Sequence, residues 1–278
     1  MTTGFITINI LLYDFGVIGY FDPMIRRLYM KLQKLLSHTR RAIDTYGMIE
    51  EGDKIAVGIS GGKDSLALLY ALANLRRFYP KKFDIIAITI NLGFPGFETD
   101  AIKALCDELN VEYYVENTEI YDIIFNYRKE SNPCSLCAKM RKGALNDKIV
   151  ELGCNKLAYA HHKDDIIETF LMSLIFEGRV HTFSPITYLD RSKLTLIRPL
   201  MFCNEGEIKA FERDMKLPVV KAKCPADGYT KREYAKQHIR ALEEENPGCK
   251  EKIFTAILNA NLTGWPVANP NPRQSSKQ

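Results

Sequence analysis

Apolar positions follow two rhythms along this chain. Short apolar runs alternate with segments whose apolar residues recur every three or four positions. The runs Ile55 to Ile59, Phe83 to Leu92, Val111 to Val115, Lys156 to Ala160, Leu194 to Ile197 and Pro218 to Val220 predict strands. Residues 66–72, 98–109, 138–152, 164–176 and 205–216 predict helices between them. Upstream, Leu28, Leu32, Leu35, Leu36, Ile43 and Tyr46 share one helical face, and Arg26, Arg27, Lys31, Lys34, Arg40 and Arg41 occupy the others. That amphipathic helix should cover 24–46 and stop near Gly47. Downstream, 230–262 predicts two helices split at Asn246-Pro247-Gly248, and the Asn-, Pro- and Ser-rich tail from Pro266 predicts disorder. The strand–helix alternation predicts an α/β fold. Its doubly wound parallel sheet has helices on both faces and ligand at the carboxyl ends of the strands. The expected organisation is an arm at 1–23, a helix at 24–50, a nucleotide domain at 51–225, C-terminal helices at 226–264 and a tail at 265–278.

Composition narrows this only a little. The chain has 278 residues, 46% hydrophobic and 26% charged, ample for a globular core. A net charge of +4 permits nucleic-acid binding without arguing for it. No apolar stretch suffices to span a bilayer. Residues 5–20 are apolar but lack a basic flank and a cleavage site, so they make a poor signal peptide. The arm is expected to be disordered, to precede a native start at Met24, or to pack on another chain. Seven cysteines in a chain expected to be cytoplasmic point to metal binding or catalysis more than to disulfides.

The strand at Ile55–Ile59 runs into Ser60-Gly61-Gly62-Lys63-Asp64-Ser65, and a helix follows at once. Strand, glycine turn and helix start form an anion cradle. Glycines admit close backbone approach, and free N–H groups point at the anion. Ser60 and Ser65 add hydroxyls, and Lys63 adds a positive charge. The alternative is an ordinary tight turn capped by Asp64. The spacing is not that of the Walker loop. It resembles the PP-loop of the ATP pyrophosphatase superfamily, which implies cleavage of ATP between the α and β phosphates and adenylylation of a substrate.

Cys134 and Cys137 stand three apart just before a predicted helix, a spacing that suits one metal or cluster, or a redox pair. Cys224 lies in a polar loop that can reach the ligand face. Cys106, Cys154 and Cys203 read as small core residues, and Cys249 starts a helix. His161-His162-Lys163-Asp164-Asp165 follows a strand directly. Alone it reads equally as a capping turn or a functional loop. Beside an ATP site, Asp164 is expected to hold Mg²⁺ and His161 to line the nucleotide pocket. Arg141 suits phosphate or RNA, with a solvated helix face the equal alternative. Lys221, Lys223, Lys231, Arg232, Lys236, His238 and Arg240, with Tyr229 and Tyr234 among them, suit phosphate contact and base stacking. A solvated helix face is again the plainer reading. The basic face of residues 26–41 is expected to extend that track.

Taken together, Ser60 to Ser65, Cys134-Ser135-Leu136-Cys137 with Arg141 and Gly143, His161 to Asp165, Glu168-Thr169, Arg198-Pro199-Leu200 and Cys224 with its proline resemble the tRNA 2-thiocytidine synthetase (TtcA-like) family, over about residues 50–240. The resemblance implies a PP-loop, adenine nucleotide alpha hydrolase-like fold. It also implies a [4Fe–4S] cluster on Cys134, Cys137 and Cys224, with one iron open to carry sulfide. The chain departs from the family's better-known branch, which has a second Cys-x-x-Cys, because Asp227 stands three residues after Cys224. The implied activity replaces the C2 oxygen of an anticodon-loop cytidine, at position 32, with sulfur. It uses ATP, Mg²⁺ and the cluster, with Lys63, Asp64 and Asp164 catalytic. The implied partners are tRNA and a sulfur donor such as a cysteine desulfurase or free sulfide. A homodimer is left open. The rivals are a cluster-free, lysidine synthetase-like ligase, a non-enzymatic metal-bearing RNA-binding module, and a sulfur transferase acting on another base or a small molecule.

Overall fold

The central strands send alternate residues to opposite faces, and both faces are apolar. In β1 (Asp53–Gly58), Ile55 and Val57 enter one core and Ala56 the other. In β2 (Phe83–Asn91), Ile85 and Ala87 go one way, and Ile86, Ile88 and Ile90 the other. Strands of this kind need cover on both sides. The computed structural model describes residues 23–128, 133–220 and 231–268. The expected N-terminal arm, the last ten residues of the tail, and Lys221, Lys223, Cys224 and Tyr229 therefore lie outside the described residues.

The sheet has six strands in the order β3-β2-β1-β4-β6-β5. Here β3 is Glu112–Asn117, β4 Lys156–Ala158, β5 Ile186–Leu189 and β6 Leu194–Ile197. Five strands run parallel, and β5 returns antiparallel to β6. The sequence reading missed β5. It has four residues, at the edge and only partly buried, so its signal comes from pairing with β6 and not from its own pattern. Conversely, Pro218 to Val220 is not a strand. Its Val220 N–H instead donates to the carbonyl of Gly61, in the loop after β1, at 2.9 Å.

Helix α2 (Lys63–Leu75) is buried at every residue from Ser65 onward. A helix apolar all round needs cover beyond the sheet. Helices α1 (Pro23–Tyr46) and α6 (Glu205–Met215) give it, through Leu32, Leu36 and Ile43 of α1 and Ile208 and Phe211 of α6. The basic face of α1 then meets α6. Asp214 pairs with Lys31 and, at 3.2 Å, with Arg27. Glu207 pairs with Lys34 at 2.9 Å. Three cations of the expected RNA track along 26–41 thus pair with a neighbouring helix.

Between them come α3 (Asp100–Glu108), a π-helical turn at Asp122–Arg128, α4 (Pro133–Glu151) and α5 (Lys163–Glu177). α4 covers the second face with Leu145 and Ile149. It starts five residues earlier than the sequence pattern predicts, so Cys134 and Cys137 sit within its first two turns. Helices α7 (Lys231–Glu245) and α8 (Cys249–Asn259) pack on α5. Among the described residues, no helix is long and apolar enough to cross a membrane.

Candidate active site

β2 and β3 lie on one side of β1, and β4, β6 and β5 on the other. This reversal opens a crevice at the carboxyl ends of β1 and β4. Residues 60–65 follow β1, and residues 161–165 follow β4. The first loop is tied by its own serines. Ser60 N–H donates to Ser65 Oγ at 3.2 Å, and Ser65 Oγ donates to the Gly62 carbonyl at 2.9 Å. Gly61 has φ of +82°, and a Cβ there would lie 2.7 Å from the Val220 carbonyl oxygen, so only glycine fits. Gly62 caps α2 with no side-chain acceptor, which leaves the first N–H groups of the helix for an anion.

The loop opens on a cleft of about 530 Å³. Of the expected site residues, Ser60, Asp64, Ser65, His161 and Arg141 line it, with Ile88, Phe94 and Phe97 as an apolar wall. That mixture of a polar cradle and apolar walls suits a nucleotide.

Lys63 Nζ lies 2.8 Å from Asp64 Oδ2 and 3.3 Å from Glu205 Oε1. Burial alone would lower its pKa, but the two carboxylates outweigh burial and raise it. Glu205 is itself held by Lys236 and Lys209, each at 3.0 Å. Burial pushes the Glu205 carboxyl up, and Lys236, Lys209 and Lys63 bring it down to about 2. Asp64 Oδ1 is buried without a hydrogen-bond partner, and His162 Nε2 lies 3.7 Å from it. An orphaned carboxylate oxygen beside a phosphate cradle fits Mg²⁺, a hard oxygen-seeking ion.

Asp164, the expected Mg²⁺ ligand, faces elsewhere. One oxygen pairs with Lys250 of α8, and the other accepts the Glu205 N–H at 2.7 Å. Both partners outweigh burial and lower its pKa. It lines a separate cavity of about 230 Å³ between α5, α6, α7 and α8. The carboxylate that reaches the cleft from this loop is Asp165. The loop does cap α5, through His162 and Asp165. His162 Nδ1 accepts the Asp165 N–H at 3.3 Å, and Asp165 Oδ2 accepts the His162 N–H at 3.0 Å.

The cations expected to bind RNA on α7 are also engaged. Arg232 donates to Asp165 at 3.2 Å and to Glu168 at 3.1 Å. Lys236 pairs with Glu205, and Lys231 lies 5.0 Å from the centre of the Phe176 ring. These contacts fasten α7 to α5 and α6. Arg141, by contrast, is exposed at the cleft rim.

Cys134 is exposed and Cys137 half-buried near the start of α4. Ala138, Arg141 and Lys142, just along the helix, line the cleft, so the two thiols stand at its edge. Spaced i, i+3, they share a helix face. They fit two ligands of a cluster. Among the described residues no third cysteine, histidine or carboxylate joins them. Cys224, the expected third ligand, is four residues beyond the anchored Val220. Cys106, Cys154 and Cys203 are core residues, and burial pushes the Cys106 and Cys203 thiols up to about 12. The sequence reading did not find Glu205 or Lys250. Each reaches the site from a distant helix, and no local spacing marks either.

Residues 27–242 match the PP-loop domain family. The tRNA-cytidine(32) 2-sulfurtransferase of Geobacter sulfurreducens is 40% identical over 233 residues, 83% of this chain and 91% of that one. Its counterpart in Geobacter metallireducens is 41% identical over 82% of this chain and 90% of that one. The U34-tRNA thiolase NcsA of Methanococcus maripaludis, solved with its [4Fe-4S] cluster, superposes with a TM-score of 0.65 at 27% identity, over 87% of this chain and 80% of that one. With the loop spacing, the switch-point cleft and this coverage together, the chain belongs to the PP-loop ATP pyrophosphatases, in the tRNA 2-thiocytidine synthetase family.

Proposed function

We propose that this chain thiolates a cytidine of tRNA, at position 32 as in the relatives' name, in the cytoplasm. The observation that carries the reading is the Ser60–Ser65 cradle opening on a cleft with two thiols at its edge. ATP phosphates sit on the N–H groups of α2, Asp64 Oδ1 would hold Mg²⁺ to neutralise their charge, and Lys63 turns from Glu205 to the phosphates. A flipped-out cytidine brings its C2 oxygen to the α-phosphate. The O–P bond forms and pyrophosphate leaves with its negative charge met by Lys63. Sulfide then adds at C2, and AMP departs with the original oxygen. A [4Fe–4S] group on Cys134, Cys137 and Cys224 would supply an open iron site for that sulfide. Residues 51–225 form the catalytic unit of this reading. The sulfur comes from a desulfurase or free sulfide.

Mass spectrometry of tRNA nucleosides from cells with and without this chain tests the proposal. Loss of 2-thiocytidine, restored by the wild-type chain and not by Lys63→Ala, is expected. The superposition on a uridine thiolase favours one second reading, thiolation of uridine. Loss of a thiouridine with 2-thiocytidine intact would replace the first reading by the second.

A further inference from the structure

Arg198 is a buried charge that neither the phosphate cradle nor the thiol pair uses. It closes β6 and is only 6% exposed, yet no carboxylate pairs with it among the described residues. Buried cations normally pair with anions. The Arg198 guanidinium instead donates to the Ser184 carbonyl and to Thr187 Oγ1 at 3.2 Å, and it lies 4.8 Å from the centre of the Phe183 ring. Its Nε–H points at His161 Nδ1, 3.2 Å away. The His161 ring is stacked on the same Phe183 at 4.5 Å and meets Tyr159 edge-on at 5.6 Å. It is clamped on three sides and lines the cleft on the remaining one.

An arginine has no lone pair to offer, so its contact with Nδ1 has one sense. Nδ1 must be the acceptor, and the ring proton must sit on Nε2. Protonating Nδ1 would set two donors face to face. The groups around the ring add to this. Arg198, Arg232 and His162 disfavour a second proton, and Asp165 alone favours one. Burial first and Arg198 next bring the His161 pKa down to about 4. Nε2 has no partner among the described residues.

We infer that Arg198 is a positioning residue that holds His161 as a neutral imidazole with its proton on Nε2. The ring thereby presents the cleft with a hydrogen-bond donor and with no general base. Its partner is an acceptor oxygen of the nucleotide, a step that rests on the ATP reading above. The same anchor explains the place of Arg198 at the end of β6. From there it spans to the loop after β4 and locks the ring at the carboxyl ends of these two strands.

The test is nitrogen-15 NMR of the full chain labelled at its five histidines, with His161 assigned by loss of its signals in His161→Gln. In ligand-free protein from pH 5 to 8, His161 should show a pyrrole-type Nε2 and a pyridine-type Nδ1, without titrating. In Arg198→Met the tautomers should mix and the ring should titrate nearer the ordinary histidine range of about 6.5. Arg198→Lys should restore part of the shift. A pyrrole-type Nδ1 in the wild-type chain would overturn the inference with no variant needed, as would an unchanged His161 signal in folded Arg198→Met. Addition of ATP should move the Nε2 resonance. An unmoved Nε2 with the expected tautomer would overturn the nucleotide contact alone and leave the role of Arg198 standing.

Discussion

Lys63 shows how a single residue can be placed for two states. Its ammonium is held between Asp64 and Glu205, short of the cleft, and phosphates would compete for it. Lys63→Ala should abolish release of AMP and pyrophosphate from ATP. It should leave the melting temperature close to wild type, because the group is not part of the apolar core. Chromatography of spent ATP beside a thermal scan checks both halves. Glu205 makes a separate prediction about acid. Its folded pKa of about 2 lies below the usual carboxylate value near 4.5. A depressed carboxylate contributes stability that is fully present above its unfolded pKa and is lost as pH falls through the folded one. Denaturant midpoints should therefore drop between about pH 4.5 and 2, and less steeply in Glu205→Gln. Equal slopes would mean that Lys236 and Lys209 stabilise nothing through this carboxylate. None of this was legible in the chain, since Lys63, Glu205 and Lys236 come from three helices with no shared spacing. The Ser60–Ser65 cradle was legible because all of its parts are local.

At the scale of elements, strands and helices were readable where burial is strong and periodic, as in β1, β2, α1 and α2. The errors have physical causes. β5 depends on its neighbour for definition, and Pro218 to Val220 has apolar residues but pairs with a loop. α4 begins at Pro133 because proline suits a first helical turn, where its missing N–H has no partner to lose. That shift places Cys134 and Cys137 on the helix itself. Replacing Cys134, Cys137 or Cys224 with Ala should lower iron content after anaerobic reconstitution and leave circular dichroism unchanged. Iron loss in Cys106→Ala or Cys203→Ala, whose thiols burial keeps protonated, would reject this ligand set. The contacts of Arg232 also belong to this scale. It ties α7 to Asp165 and to Glu168, whose side chain is 6% exposed. Arg232→Ala leaves Glu168 buried without its cation and should cost about 1–3 kcal/mol in urea unfolding. A loss near zero would place Arg232 on a solvated face after all.

Across the whole molecule, the net charge of +4 is too small to steer RNA by itself, so the distribution of charge decides where tRNA can bind. Sequence alone could not give that distribution, because it shows cations without the acids that fold against them. The basic face of α1 is met by Asp214 and Glu207, and Arg232 and Lys236 are met by Asp165, Glu168 and Glu205. On α4 the pattern reverses. Lys139, Arg141 and Lys142 are exposed and make no ion pair among the described residues. They follow Cys137 directly, and Arg141 and Lys142 line the cleft. Phosphates of a tRNA whose cytidine enters the cleft would pass over this helix. Each phosphate neutralised releases condensed counterions, so the logarithm of affinity falls with the logarithm of salt by about 0.7–0.9 per contact. The double variant Arg141→Ala with Lys142→Ala should weaken tRNA binding and flatten that dependence by about one to two contacts. Lys231→Ala with Arg232→Ala should weaken binding less and keep the slope, since those cations already have partners. Filter binding over a salt series separates the two. A slope unchanged by the α4 pair and flattened by the α7 pair would move the RNA face to α7 and return Arg232 to the role first read from sequence.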